Sequence, residues 1–450
     1  LSTDGTAGEK TAAGEHTTRG RRGPLSGIRV LDVGTRISAP FCAGLLGELG
    51  ADVVKVELPG TGDFMRTMGP FVNENGNENG NGNGNGNGNE NGNENGNGNE
   101  NGNEEAGRPG YSLPWAVEGR GRRGVTCDLR KPAGQQLFSR LAAISDVVCE
   151  NFRPGTMERW HLGPADLDPR LVYIRISVFG QSGPYSARPG LDRLGIAYGG
   201  LLHLTGQPDG PPVRPGVTVA DYLTGVFAAL SAVAGLYERD TGAGVGSVTD
   251  APLYGAVLRI LEWTLAAYDR NGTVRSREGN RLANSAPLDN YLAADGVYVC
   301  LVAGSDANFD RLCRAMGREE LLADPRFSTL ADRARHGDEI NGIVAGWVAS
   351  MPAAEVERRC IAFDVPVGRA YTAADIFADP HMAYRGDLVT VDDPVIGPVR
   401  QQAPFPRRVG EQPIAPSGAP RLGEHNDEIW CGLVGLSPGE LSNYREIGVV

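Results

Sequence analysis

The stretch from residue 28 to residue 57 constrains the fold more than any other. Ile28-Arg-Val-Leu-Asp-Val-Gly34 is a short apolar run ending in glycine, which reads as a buried strand. Residues 40–50 open with Pro40 and close with Gly50, the punctuation of a helix. Ala51-Asp-Val-Val-Lys-Val-Glu57 reads as a second strand. Strand, helix and strand in so short a stretch make a βαβ unit, and such units build parallel sheets. The alternation continues with strand-like 124–129, helical 132–144, and strands at 145–151 and 171–177. Long apolar helices are expected at 219–238 and 250–268. After Asn290 the pattern changes to a hairpin around Asp295-Gly296, followed by helices to 375. The expectation is an α/β fold in which a large parallel-sheet domain is joined by a smaller α+β domain.

A chain of 450 residues fits two domains, and 40% hydrophobic with 22% charged residues is ordinary globular composition. The net charge is −12, and six of the acidic residues are the glutamates between Asn73 and Glu104. Bulk charge therefore gives no reason to expect binding to nucleic acid or an anionic membrane. No apolar run is seen to approach the roughly 20 residues of a bilayer span. The polar start, Leu1 to Arg22, is not expected to be a secretory signal. The seven cysteines are scattered, with neither Cys-x-x-Cys nor zinc spacing, so free thiols in a reducing cytoplasm and no metal site are expected. From Asn73 to Glu104 every odd position is Asn and every even one Gly or Glu. Nothing apolar there offsets the entropy of ordering, so a disordered insert is expected over 73–107, and a disordered leader over 1–23.

The first βα turn is where a doubly wound sheet receives ligands. Here it reads Gly34-Thr-Arg-Ile-Ser-Ala-Pro40, not Gly-x-Gly-x-x-Gly, so a nicotinamide or flavin dehydrogenase is disfavoured. Arg120-Gly-Arg-Arg123 is either a solvated loop or an anion clamp centred on Arg122. Thr205-Gly-Gln-Pro-Asp-Gly-Pro-Pro212 is stiff; its Asp209 is either a plain turn aspartate or a nucleophile toward an activated acyl group. Asp192, in Arg188-Pro-Gly-Leu-Asp192, is either a helix N-terminal residue or an acid/base group.

The chain resembles the class III CoA-transferase family, which includes formyl-CoA transferase, the carnitine CoA-transferases and the 2-methylacyl-CoA racemases. The matching stretches run nearly end to end. They include Pro24 to Gly34, Leu49 to Glu57 with Gly62-Asp63, Gly119 to Arg123, Asp128 to Pro132, Glu150 to Gly155, Phe179 to Pro184, Thr241 to Gly244, Asp295-Gly296 and Leu422-Gly-Glu-His425. The resemblance implies a large Rossmann-like domain over 24–225, a helical linker over 226–280, a small domain over 281–380, and a C-terminal segment over 381–450 returning to the large domain. It implies an interlocked homodimer. Coenzyme A would enter and leave as acyl-CoA, with no metal or redox cofactor.

Contacts to CoA carry over to Ile37 and Ser38 in the first turn, Leu58 after the next strand, and Arg122 with Asp128, Leu129 and Arg130. Asn151, Phe152, Arg159, Phe179, Gly180 and Gln181 complete the set. The transferase nucleophile maps to Asp209. A racemase instead needs a His-Asp pair, and here Leu191 precedes Asp192, with an acidic partner falling near Asp306. The glycine run of formyl-CoA transferase has no counterpart at Gly279–Pro287, which disfavours oxalate and formate. The resemblance therefore implies an acyl-CoA:carboxylate CoA-transferase working through aspartyl anhydride and aspartyl-CoA thioester. The alternatives are a 2-methylacyl-CoA racemase using Asp192 as base, or a CoA-binding relic without catalysis.

Overall fold

The computed structural model describes residues 23–72, 110–410 and 414–450. The expected leader, apart from Gly23, and the expected Asn/Gly/Glu insert lie outside the described residues. The central sheet has strands β1 (Arg29–Asp32), β2 (Asp52–Glu57), β3 (Arg123–Thr126), β4 (Val147–Glu150), β5 (Val172–Ser177) and β6 (Val248–Pro252). All neighbours are parallel, in the order β3-β2-β1-β4-β5-β6. The chain winds outward from β1 to β3, then returns to β1's other side with β4. That reversal leaves a crevice beyond the carboxyl ends of β1 and β4.

The sheet is covered over β1 to β5, whose residues are nearly all buried, the charged Asp32, Lys55, Glu57, Glu150 and Arg175 included, while β6 lies at its more open edge. Successive side chains point to opposite faces. Val30 and Val147 pack with helices α1 (Ser38–Glu48) and α4 (Val219–Thr241). Leu31 and Val148 pack instead with α2 (Pro132–Ala142) and with Trp430, Leu441 and Val449 from the chain's end. The C-terminal segment is stitched to β3: Asn426 Oδ1 accepts from Thr126 N at 2.8 Å and His425 Nδ1 from Gly124 N at 3.1 Å. The short helix α3 (Asp192–Tyr198) lies between β5 and α4 along the chain.

No bilayer-length apolar run is expected from the sequence, yet α4, with 23 residues, is long and apolar enough to cross a membrane by length and composition. Ala220, Thr224, Ala228, Ala232 and Leu236 recur every fourth residue and are buried, so one face of α4 belongs to the core.

The hairpin around Asp295-Gly296 is present, as β7 (Leu288–Leu292) and β8 (Tyr298–Val302). Strand β9 (Val367–Arg369) pairs antiparallel with β8. This sheet carries its own apolar cluster, with Val299 and Leu301 packed on Phe309, Leu312, Val344 and Val356 of the following helices.

Candidate active site

The crevice is built by two turns that lock together. Asn151, just past β4, accepts at Oδ1 from Thr35 N (2.9 Å) and donates from Nδ2 to Thr35 O (2.8 Å) and Ser38 Oγ (3.2 Å). Gly34 has to be glycine: an added Cβ would lie 2.6 Å from Ala39 Cβ and 3.0 Å from Asn151 Oδ1. Beneath the turn lies a buried charge cluster. Lys55 Nζ donates to Gly34 O at 2.5 Å and pairs with Asp63 at 2.9 Å and Asp32 at 3.3 Å. Burial works against the Lys55 charge, but Asp32 and Asp63 hold its pKa above the ordinary lysine value. Burial also opposes ionisation of Asp63, yet the Lys55 ammonium and the N–H groups of Met65 and Arg36 hold its pKa below the ordinary value.

Helix α4 brings a further carboxylate to this crevice. Gly225 is the reason it comes so near: a Cβ there would lie 2.9 Å from Phe41 Cδ1 and 3.0 Å from Ser38 O. Phe41 and Tyr222 meet edge to face at 4.8 Å, fixing the approach. One turn earlier is Asp221, whose carboxyl feels the Ser38 side chain. Its carboxyl is pushed up to about 7, first by burial and then by the neighbouring Asp192; the Ser38 side chain and the charge of Arg36 act the other way. Enlarging Gly225 should part the two helices. We expect Gly225→Ala to cost about 1–3 kcal/mol by overpacking and to lower turnover more than the affinity for free CoA, as checked by thermal unfolding and steady-state kinetics.

The sequence-expected site residues divide. Ile37, Ser38, Asn151 and Phe152 meet at the crevice, and Leu58, Asp128, Leu129 and Arg130 follow β2 and β3 on the same edge of the sheet. Asp128 holds the exposed Arg130 through two bonds of 2.8 and 3.0 Å, and burial of Asp128 is outweighed by that pairing, which lowers its pKa. Arg159 is exposed and bonded to Thr156 Oγ1 at 2.9 Å. Phe179, Gly180 and Gln181 follow β5. Gln181 N donates to Asp250 at 2.8 Å, while its buried side-chain amide has no hydrogen-bond partner among the described residues. Phe179 lines a cavity of about 490 Å³ with Arg188, Pro189, Leu194 and Tyr198.

Three expectations need correction. Arg122 is not a surface anion clamp. It is 5% exposed, bonded to the Glu118 and Pro40 carbonyls, and 3.5 Å from Asp32 Oδ2, so it serves the interior beneath α1. Its neighbours Arg120 and Arg123 tie the C-terminal segment through Gln401 and Glu428. Asp192 does not face the crevice as a free base: its Oδ1 accepts from Ala220 N (2.8 Å) and Asp221 N (3.2 Å), anchoring the first turn of α4. Asp306 pairs with the buried Arg333 at 2.6 Å.

Asp209 is exposed and makes no hydrogen bond or ion pair among the described residues, on a loop held to the chain after α4 by Gly279 N–Gly206 O (3.0 Å) and Arg277 Nε–Gln207 O (3.3 Å). In the sequence Asp221 is only one residue of an apolar helix. The available signal was an acidic residue in the first turn of a run otherwise almost free of charge. Among the described residues no cluster of three or more His, Cys, Asp or Glu side chains is placed to hold a metal ion.

Comparison with known proteins agrees with this architecture. The family model for CoA-transferase family III matches residues 25–426. The chain is 37% identical over 422 residues to succinyl-CoA--D-citramalate CoA-transferase of Chloroflexus aurantiacus, covering 93% of this chain and 96% of that one. It is 36% identical over 433 residues to the beta subunit of succinyl-CoA--L-malate CoA-transferase from the same organism, covering 95% and 98%. A CAIB/BAIF family protein from Brucella suis has a similar crystal structure, with a TM-score of 0.75, 29% identity, and coverage of 92% of this chain and 100% of that one. The chain therefore belongs to CoA-transferase family III, and is an enzyme that moves CoA from an acyl-CoA thioester to a carboxylate.

Proposed function

We propose that this enzyme exchanges CoA between small dicarboxylic acids, with succinyl-CoA as donor, and that Asp221 is the carboxylate that carries the acyl group and then CoA. The substrate class is supported by the two Chloroflexus relatives, whose names pair succinyl-CoA with citramalate and malate. The residue assignment rests on one observation above all: the Asp221 carboxyl sits half-buried against Ser38 at the crevice, with its pKa pushed up to about 7. A desolvated, more basic carboxylate is a better nucleophile than one in water. Asp209, the residue expected from sequence, is exposed, has no partner among the described residues and lacks such an environment.

In the first step Asp221 attacks the thioester carbonyl, forming an aspartyl–acyl anhydride and expelling CoA thiolate. The thiolate attacks the aspartyl carbonyl, giving aspartyl-CoA thioester and releasing the donor acid. The acceptor carboxylate attacks that thioester, and thiolate returns to the acceptor's acyl carbon, regenerating the Asp221 carboxylate. Ser38 orients the nucleophile, Asp192 anchors the turn that bears it, and Asn151 holds the two turns of the crevice together. Ile37, Leu58, Phe152 and Arg130 are proposed to seat CoA along the same edge, with Asp128 and Leu129 shaping that turn. Phe179 and Gly180 would line its far end, where Gln181 offers an unsatisfied amide and Arg159 an exposed charge.

We propose further that residues 24–225 with 381–450 and residues 281–380 act as two domains joined by 226–280, and that two copies interlock. Support for the second copy comes from the outward face of α4 and the chain after it, where Leu230 is 65% and Tyr237 72% exposed, with Tyr268 at 63%. Cysteine usage supports a cytoplasmic setting.

The assignment is tested by incubating the enzyme with succinyl-CoA, quenching with hydroxylamine and mapping the modified peptide. We expect a hydroxamate at Asp221. A hydroxamate at Asp209 would return the role to that residue. Loss of deuterium-free substrate in heavy water without any adduct would replace transfer by racemisation.

A further inference from the structure

Arg36 occupies the crevice turn in an unusual way. Its φ is +64°, a left-handed conformation that strains a non-glycine residue. Asp63 holds it there, accepting at Oδ1 from Arg36 N (3.1 Å) and Thr35 Oγ (3.3 Å). The same oxygen accepts from Met65 N at 2.9 Å, starting the short turn Phe64–Thr67. Phe64 in that turn lies under the guanidinium, with Arg36 Cζ 3.9 Å from the ring centroid. One buried carboxylate thus places both the cation and the aromatic plate beneath it.

The guanidinium lies over the Phe64 ring and its N–H groups make no hydrogen bond or ion pair among the described residues, so its donors are free there. Arg66 shows the contrast. It also stacks on an aromatic ring, Trp115 at 3.7 Å, but its donors are taken by Glu57 (2.8 Å twice) and Pro420 O (3.0 Å). A planar guanidinium fork held over an aromatic ring, with its donors not taken up among the described residues, suits a carboxylate taken in two-point fashion. There is also an electrostatic need. A dicarboxylic acyl group brings a second negative charge toward Asp221 and Asp192, and only a cation close by can offset that repulsion. Arg36 lies two residues from Ser38, which touches Asp221, and its charge reaches the Asp221 carboxyl.

We propose that Arg36 is a specificity-determining residue that binds the free, distal carboxylate of a dicarboxylic acyl group while the thioester faces Asp221. This rests on the dicarboxylate reading above. It predicts that the enzyme tells succinyl-CoA from butyryl-CoA through this one side chain.

The test compares the full-length enzyme with Arg36→Met and Arg36→Lys, measuring kcat and KM for succinyl-CoA and butyryl-CoA with one acceptor acid. Where butyryl-CoA turns over too slowly, its Ki against succinyl-CoA replaces KM. In Arg36→Met the succinyl/butyryl ratio of kcat/KM should fall about 10²-fold, mostly through KM for succinyl-CoA, as expected for removing one partner of a charge pair. Arg36→Lys should retain part of the preference, since it keeps the charge without the fork. An equal loss on both thioesters in both variants would overturn the proposal, placing Arg36 on CoA or in the turn's folding. An unchanged ratio would overturn it too. A wild-type enzyme that prefers butyryl-CoA would instead overturn the dicarboxylate reading itself.

Discussion

Asp221→Asn is expected to abolish CoA exchange, lowering kcat by about 10³-fold or more because a covalent step loses its nucleophile, while Asp209→Asn stays near the parent. Stopped exchange assays with succinyl-CoA and a dicarboxylic acceptor check both. The same substitution carries a thermodynamic signature that a merely damaged protein would not show. In the fold the Asp221 carboxyl titrates near 7, above the ordinary aspartate value of 3.8. The folded state therefore holds a proton there that the unfolded chain releases, and stability declines as pH rises from about 4 to about 7. Asn cannot ionise and escapes that decline. The variant should melt above the parent at pH 8, with the gap closing toward pH 4. The parent's kcat/KM should rise through an apparent pKa near 7, as the nucleophile ionises in the free enzyme. Inactivity together with a higher melting temperature at pH 8 is the combination that identifies a strained functional carboxylate. A melting difference independent of pH would contradict it.

Lys55→Met should be the most destabilising single change in the sheet. Lys55 is 1% exposed, inserted between Asp32 and Asp63, which are 0% and 5% exposed. Removing the ammonium leaves two buried carboxylates facing each other, with Arg122 3.5 Å from Asp32 as the remaining cation. Losing one partner of such a cluster costs about 3–5 kcal/mol. The loss should show in denaturant unfolding at pH 8 and shrink below pH 5, because protonation of the stranded acids removes the repulsion. Asp63 also fixes Thr35 and Arg36 and caps the turn bearing Phe64, so the residual enzyme should have a raised KM for succinyl-CoA. A stability loss of the same size at pH 4 and pH 8 would mean that packing, not charge, is what Lys55 contributes.

The parts of this protein that are written locally could be read in the sequence. Val30, Leu31, Val53 and Val54 with the Pro40–Gly50 punctuation announce β1, α1 and β2, because period and capping are short-range properties. The turn residues Asp295-Gly296 announce the hairpin of β7 and β8 for the same reason. The order of motifs from Pro24 to His425 was enough to recognise the family, and with it the placing of Ser38 and Asn151 in one site. The choice among carboxylates was not local. Asp209, in a loop stiffened by glycine and proline, looks distinctive along the chain, whereas Asp221 looks like one polar residue at the start of an apolar helix. Likewise Arg122 looks exposed among its basic neighbours, and Asp192 looks like a free acid. Burial and the close passage of Gly225 over Ser38 assign these groups their environments, and those depend on the sheet order and on how α4 crosses α1. The sequence by itself determined the strands, the turns and the chemistry available to them. Only the tertiary structure decided which carboxylate loses its water, because desolvation and the field of neighbouring charges are set by residues far apart in the chain.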